Sequence, residues 1–178
     1  PSNSHIRDLL AIALAIRDGD GVSWERLDKL LGEANAQASP NQLLHALIML
    51  RQGGNSQESK AEKILSSIVA STGLQHLDAI RLLADLKKNQ WQVAKEKGGD
   101  SQETKRLLAK TRSLLSTLAT RPTPLPIDLY RLGDLLLEAE QTEDVVKLSR
   151  QLAAVTNGSS MALDLRLRLA QQKGDTEK

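Results

Sequence analysis

Hydrophobic residues recur along this chain at three- and four-residue spacings, in segments separated by short polar breaks. The clearest pair of segments lies in residues 125–158. Its apolar positions are Leu129, Leu132, Leu135, Leu136 and Ala139 in the first segment and Val145, Val146, Leu148, Leu152 and Val155 in the second. Such spacing places apolar side chains on one face of an α-helix. Because only Gln141 and Thr142 interrupt the pattern, we predict two antiparallel helices.

Similar breaks recur at a regular interval. We place the turns at Trp24, Glu58, Trp91, Thr142 and Thr176, which stand 34, 33, 51 and 34 residues apart. The interval of 51 residues exceeds the others by 17, which indicates an insertion near residues 98–105. The predicted helical units are therefore 4–39, 40–74, 75–121 with the insertion, 125–158, and a partial unit at 159–178.

Start and stop signals for helices support these boundaries. Ser39-Pro40 combines an N-cap residue with proline in the first turn, and Asn157-Gly158 is typical of a left-handed helix stop. We predict that Asn55, Asp100 and Thr142 cap the helices that follow them. Pro122, Pro124 and Pro126 exclude helix and predict an extended linker.

Two Gly-Gly segments resemble each other. GGNSQESK begins at Gly53 and GGDSQETK begins at Gly98, 45 residues later. They are either a duplication or two independent glycine breaks with similar capping residues, and we favour the second interpretation. Strand patterns with alternating β-branched and aromatic residues are scarce, so the predicted fold class is all-α.

Four short segments resemble the repeat motif of a known family. Three are turn segments, Trp24-Glu25-Arg26-Leu27, Trp91-Gln92-Val93-Ala94 and Thr142-Glu143-Asp144-Val145, and the fourth is the pair Leu132-Gly133. With these residues and a helix–turn–helix period of 34, the chain resembles a divergent tetratricopeptide repeat array. In that family a small residue at the place of Gly133 lets the second helix approach closely, and Ala15 matches it in the first unit. Met49, Leu82 and Leu167 depart from that rule, and aromatics are only 2% of the chain.

The resemblance implies a right-handed superhelix of about four antiparallel helix pairs plus a terminal helix. It also implies that the first helix of each unit lines a concave face that binds a peptide or a partner protein. The positions that would contact such a partner are Ile127, Tyr130, Asp134, Glu138, Asp164 and Arg168. The family's basic and asparagine residues that clamp a terminal carboxylate are not recognisable.

Charge composition favours a protein partner over a nucleic acid. With 24 basic and 22 acidic residues the net charge is +2, so the surface is nearly balanced. The densest positive stretch contains Lys95, Lys97, Lys105, Arg106, Lys110 and Arg112. It supports an alternative function as a helical nucleic-acid-binding module. A structural spacer within a longer solenoid is a further alternative.

No pattern indicates a catalytic, cofactor or metal site, and we expect a non-enzymatic protein. The calcium-like stretch at Asp18-Gly19-Asp20-Gly21 has no carboxylate at the twelfth position, and the three histidines lack metal-ligand spacing. No segment reaches the roughly 20 apolar residues of a membrane span, and no signal segment is recognisable, so a cytoplasmic location is slightly favoured. Because the chain starts at Pro1 and stops within a predicted turn, we expect a piece of a longer repeat protein.

Overall fold

The computed structural model describes residues 39–72, 74–99 and 101–176, and these residues form seven α-helices and no strand. The helices are α1 (Ser39–Gln52), α2 (Asn55–Ser71), α3 (Leu77–Gly98), α4 (Gln102–Ala119), α5 (Pro126–Glu138), α6 (Thr142–Ala154) and α7 (Ser159–Thr176). This confirms the all-α prediction for the described ranges. The predicted first unit, with Ala15, the stretch at Asp18 and the turn at Trp24, lies outside them. None of the described helices is long and apolar enough to cross a membrane.

The chain divides into two compact units between Leu86 and Lys87, inside α3. In the first unit, α1 packs against α2. Buried residues of this unit include Ala46, Ile48, Ala61, Leu65 and Ile68. The α2 helix ends where Thr72 donates from both its backbone N–H and its Oγ1 to the carbonyl oxygen of Ile68.

Glycine residues in the left-handed region form the loops after α1 and α3. Gly53 and Gly54 have φ of 71° and 87°, and Gly99 has φ of 59°, a region that other residues adopt only with strain. Both Gly-Gly segments therefore terminate a helix, and the 98–105 segment is an interhelical loop followed by the start of α4. The capping predictions were wrong for Asn55 and Asp100. Gly54 precedes α2 without a side-chain cap, and Ser101 caps α4 by accepting the Thr104 N–H at 3.1 Å.

The prediction of a turn at Trp91 was wrong. The α3 helix runs without interruption from Leu77 to Gly98, and Trp91 is a buried residue within it, 2% exposed. Lys88, Asn89 and Gln90 are polar but contain neither glycine nor proline, so nothing in this stretch forces the backbone out of the helix. The intervals of 33 and 51 residues therefore do not separate turns, and the supposed insertion is the extra length of α3 with its loop. The turn predicted at Thr176 was also wrong, because α7 runs from Ser159 to Thr176.

In the second unit, α5 and α6 form the predicted hairpin. Pro126 lies in the first turn of α5, and Glu140, with φ of 59°, lies in the loop. Gln141 occupies the N-cap of α6 without a side-chain hydrogen bond, so the cap predicted at Thr142 was wrong by one residue. Asn157 has the left-handed φ predicted for it, 65°, but α6 already ends at Ala154 with Val155 as its C-cap, so Asn157 lies in the loop before α7 and the predicted stop was placed too late. The final helix, α7, packs on both α5 and α6.

Helices α6 and α7 both approach α5 closely at Gly133. A Cβ atom built at this position would lie 2.5 Å from Leu165 Cδ1 in α7 and 3.3 Å from Leu148 Cδ2 in α6. Leu165 and Leu135 are fully buried beside it. The absence of a side chain at Gly133 therefore lets leucines of two helices reach the α5 backbone.

We expect Gly133→Val to lower the free energy of unfolding by about 1–3 kcal/mol, because the added side chain overpacks a filled core. Gly133→Ala should lower the free energy of unfolding by less than Gly133→Val does, because alanine favours the helix over glycine by up to about 1 kcal/mol. Urea denaturation followed by circular dichroism measures both. Gly174→Ala is the matched control, since nothing lies within 4 Å of its added Cβ. Equal stability of Gly133→Val and the unmodified chain would contradict the close approach.

Candidate partner-binding face

Polar side chains of α3, α5 and α7 meet on one side of the second unit. We call this cluster the polar face. It consists of Lys88 and Gln92 from α3, Tyr130, Asp134 and Glu138 from α5, and Asp164 and Arg168 from α7. Its α5 members recur every four residues, so they lie on one stripe of the helix. The opposite stripe of α5 carries its buried leucines.

Asp134 connects the three helices. Its carboxylate accepts hydrogen bonds from the Lys88 ammonium of α3 and forms an ion pair with the Arg168 guanidinium of α7, the latter at 2.6 Å. The side chains of Lys88 and Asp134 are each 20% exposed, so water screens this pair less than a surface pair. Lys88 also pairs with Glu138 at 2.7 Å.

Hydrogen bonds extend the cluster in both directions from Asp134. The Tyr130 hydroxyl donates to Asp164 Oδ2 at 2.7 Å and accepts from Arg168 at 3.4 Å. At the other end, Gln92 Nε2 donates to Glu138 Oε2 at 2.9 Å. The result is a continuous polar face with donors and acceptors of both charge signs.

The cluster shifts the pKa of Asp134 and of Lys88 in favour of their charged forms, and that of Tyr130 in favour of its neutral form. Burial by itself would raise the pKa of Asp134, but hydrogen bonds from Lys88 and Arg168 and the charges of both cations outweigh it and hold that pKa below its usual range. Burial would likewise lower the pKa of Lys88, but the hydrogen bonds to Asp134 and Glu138 raise it. The hydrogen bond to Asp164, with burial, raises the pKa of Tyr130.

Contacts across the polar face follow a fixed register. Tyr130 contacts Asp164 and Asp134 contacts Arg168, and each pair is 34 residues apart. Between α3 and α5 the separation is 46 residues, for both Lys88–Asp134 and Gln92–Glu138. Equivalent positions of the alternate helices α3, α5 and α7 therefore lie side by side, with a longer interval between α3 and α5 than between α5 and α7.

Most of the residues predicted to contact a partner come together here. Tyr130, Asp134, Glu138, Asp164 and Arg168 all belong to the polar face. Ile127, 37% exposed, lies one turn before Tyr130 on α5. Their role in binding remains a prediction.

Sequence reasoning missed Lys88 and Gln92 because it placed a turn at Trp91 and so removed them from the helix that faces α5. The stripe of Lys88, Gln92 and Lys95 at four- and three-residue spacing was the signal that could have identified them.

The basic stretch proposed as an alternative site does not form one uncompensated surface. Lys95 lies 5.4 Å from the centre of the Trp91 ring and donates to the Glu138 carbonyl oxygen at 3.0 Å. Arg112 donates to Gln141 at 2.7 Å and to Asp144 at 2.9 Å. Arg106 pairs with Glu103 at 3.2 Å. Lys97, Lys105 and Lys110 are exposed.

A cleft of about 410 Å³ lies beside the Glu138 end of the polar face. It is lined by Trp91, Lys95, Gly99, Thr104, Leu108, Glu138, Ala139 and Glu140. Trp91 and Leu108 provide apolar surface, and Lys95 and the two glutamates provide charge. In the described ranges no three His, Cys, Asp or Glu side chains are placed to hold a metal ion.

Comparison with protein-family models, with curated proteins and with solved structures gives no match for this chain.

Asp134→Asn is expected to lower the free energy of unfolding at pH 7 by about 1–3 kcal/mol, because two cations lose a charged acceptor. The pKa of Asp134 is depressed in the folded chain, so its contribution is complete above the unfolded pKa of about 4 and declines as the pH falls below it. The difference between the two chains should therefore shrink on going from pH 7 to about pH 3. Denaturation in urea at both pH values measures it.

The matched control is Asp144→Asn, which removes a more exposed ion pair with Arg112. This change should lower the free energy of unfolding at pH 7 by about 0–1 kcal/mol. A loss for Asp134→Asn that is no larger than the control, or that stays constant at low pH, would contradict the assignment of Asp134 as the centre of the cluster.

Proposed function

We propose that the chain is a non-catalytic interaction scaffold of tetratricopeptide-like helical hairpins, and that its polar face binds an extended or helical peptide of a partner protein. The observation that carries this proposal is the side-by-side register of Tyr130 with Asp164 and of Asp134 with Arg168. It supports a stack in which the first helix of each pair lines a common face. The right-handed superhelix of the family belongs to the same proposal.

The polar face suits a peptide of mixed charge. Its charged members are the cations Lys88 and Arg168 and the carboxylates Asp134, Glu138 and Asp164. Each carboxylate has room for about four hydrogen bonds in total. Asp134 and Glu138 are thus able to accept hydrogen bonds from a partner while they keep their contacts with the Lys88 ammonium. Because the cations and carboxylates already compensate one another, long-range attraction of either charge sign is weak.

Ile127 and Tyr130 provide the apolar part of the site. Ile127 is partly exposed without a polar role, and the Tyr130 ring is held in place by its hydroxyl contacts with Asp164 and Arg168. A fixed aromatic ring loses little conformational entropy when a partner packs on it, and such residues often dominate binding energy. These two residues are therefore the proposed anchor.

A phage-displayed library of random 12-residue peptides, selected on this chain, tests the proposal. A selected peptide, once synthesised, should bind Ile127→Asp about tenfold more weakly, equivalent to roughly 1.4 kcal/mol. Val93→Asp is the matched control, since Val93 is similarly exposed, at 46%, and lies on another side of α3 from Lys88. Tyr130→Phe should weaken binding by a smaller factor, because it keeps the ring but releases Asp164.

Affinity for the selected peptide should change little between low and high salt. Peptides that bind Ile127→Asp as tightly as the unmodified chain would contradict the assigned face. Failure to select any peptide would favour the structural-spacer alternative.

We also expect that mixed-sequence DNA and RNA oligonucleotides do not bind with steep salt dependence, because Lys95, Arg106 and Arg112 are engaged within the chain. Fluorescence anisotropy at low and high salt measures this. Strong binding at low salt that disappears when Lys105, Arg106, Lys110 and Arg112 are reversed to glutamate would overturn the scaffold proposal in favour of nucleic-acid binding.

A further inference from the structure

The α7 helix has apolar residues on two opposite faces. Ala162, Leu165 and Leu169 are buried against α5 and α6. On the other side, Leu163 and Leu167 are 58% and 55% exposed, and exposed Ala170 and Gly174 continue their stripe at three- and four-residue spacing. The outer helix of a repeat stack usually presents a polar face to water. This exposed apolar stripe on α7 therefore indicates a contact surface.

The equivalent stripe on α5 is covered by other helices. In the 34-residue register of the polar face, Leu163, Leu167 and Ala170 of α7 correspond to Leu129, Gly133 and Leu136 of α5. All three α5 residues are buried. The helix that approaches Gly133 from the hairpin side is α6, through Leu148. The stripe on α7 is thus the counterpart of a surface that an amphipathic helix already occupies.

An arginine lies beside the covered stripe of α5, and another lies beside the exposed stripe of α7. On the covered side, Arg112 of α4 donates to Asp144 in the first turn of α6 at 2.9 Å. The buried positions Leu107, Thr111 and Leu114 of α4 match the buried positions Val145, Ser149 and Leu152 of α6, 38 residues later.

This alignment places Arg150 of α6 at the position of Arg112. Arg150 is exposed and has no ionic partner among the residues the structure describes. Next to it, Ser149 accepts a hydrogen bond from Arg166 of α7 at 3.3 Å.

We infer that the edge formed by α6 and α7 docks an amphipathic helix of a partner protein, in the way that α6 docks on α4 and α5. Arg150 binds a carboxylate in the first turn of that helix, and the stripe of Leu163, Leu167 and Ala170 binds its aliphatic face. The positive charge of exposed Arg166 beside the stripe also favours an acidic partner. This surface is separate from the polar face and does not depend on the peptide-binding proposal.

Side-chain size at the edge specifies the partner further. Leu167 stands where α5 has Gly133, so the incoming helix requires a small residue at the place where α6 has Leu148. Ala170 stands where α5 has Leu136, so a larger aliphatic residue fits opposite it. Complementary large and small residues allow the two helices to reach native packing density.

A synthetic helix derived from α6 is the probe. The peptide spans residues 140–156, carries a fluorophore, and is held helical by a staple between positions 147 and 151, which are exposed on α6. Because the peptide is short, the staple removes the cost of helix nucleation. A second peptide has Leu148→Ala. Titration with the full chain, followed by fluorescence anisotropy, should show saturable binding, with the Leu148→Ala peptide bound more tightly.

Variants of the chain assign the binding surface. Leu163→Asp and Leu167→Asp should each weaken binding about tenfold or more, and Arg150→Glu should do so by a similar factor. An Asp144→Lys peptide should recover most of the affinity for the Arg150→Glu chain, because the charges are exchanged. Val93→Asp and Lys110→Glu, which introduce similar changes at exposed positions elsewhere, should leave binding unchanged. Circular dichroism confirms that each variant is folded, as expected for sites so exposed.

Three results would overturn the inference: no saturable binding of either peptide, equal affinity for the Leu163→Asp and unmodified chains, or no recovery by charge exchange. Sedimentation velocity tests whether a second copy of this chain, and not a partner helix, binds the stripe. A concentration-dependent dimer that Leu163→Asp abolishes would assign the stripe to a second copy of this chain and contradict docking of a partner helix.

Discussion

Close contact at Gly133 is the constraint on which the second unit depends. Because this position has no side chain, Leu148 and Leu165 reach the α5 backbone from two helices at once. The next residue, Asp134, points to the other side and accepts from Lys88 and Arg168. Two consecutive residues thus connect α5 with α3, α6 and α7: leucine packing joins α6 and α7, and the carboxylate joins α3 and α7. Burial of apolar surface supplies most of the stability, while the charged contacts favour one register over its alternatives.

The same arrangement explains why the polar face is suited to binding. Its side chains are held by one another and are only partly exposed, so a partner finds them already ordered. The side chains of the polar face lost their conformational entropy on folding, so binding costs little more. The carboxylates still have lone pairs that can accept hydrogen bonds from a partner. The face also has little net charge, which favours a partner recognised by local contacts over one attracted by its overall charge.

How far the sequence predicts this structure depends on the kind of signal. The hairpin of α5 and α6 follows from its apolar spacing and from the short polar break at Gln141 and Thr142, and the helix ends at Gly53 and Gly99 follow from the conformational freedom of glycine. The helix through Trp91 was mispredicted because the polar run before it resembled a turn, although it contains no residue that disfavours helix. That error concealed Lys88 and Gln92. The Asp134 contacts could not be predicted, since they join residues 34 and 46 positions apart through side-chain geometry.

A double-mutant cycle between Asp134 and Arg168 measures the strength of the contact that joins α5 and α7 across the polar face. The free energies of unfolding of the unmodified chain, Asp134→Asn, Arg168→Gln and the double variant are measured in urea. Our account predicts that the two losses are not additive, with a coupling free energy of about 0.5–3 kcal/mol. Losses that add to within about 0.3 kcal/mol would show that the two residues do not interact, and would contradict the register on which the polar face is built.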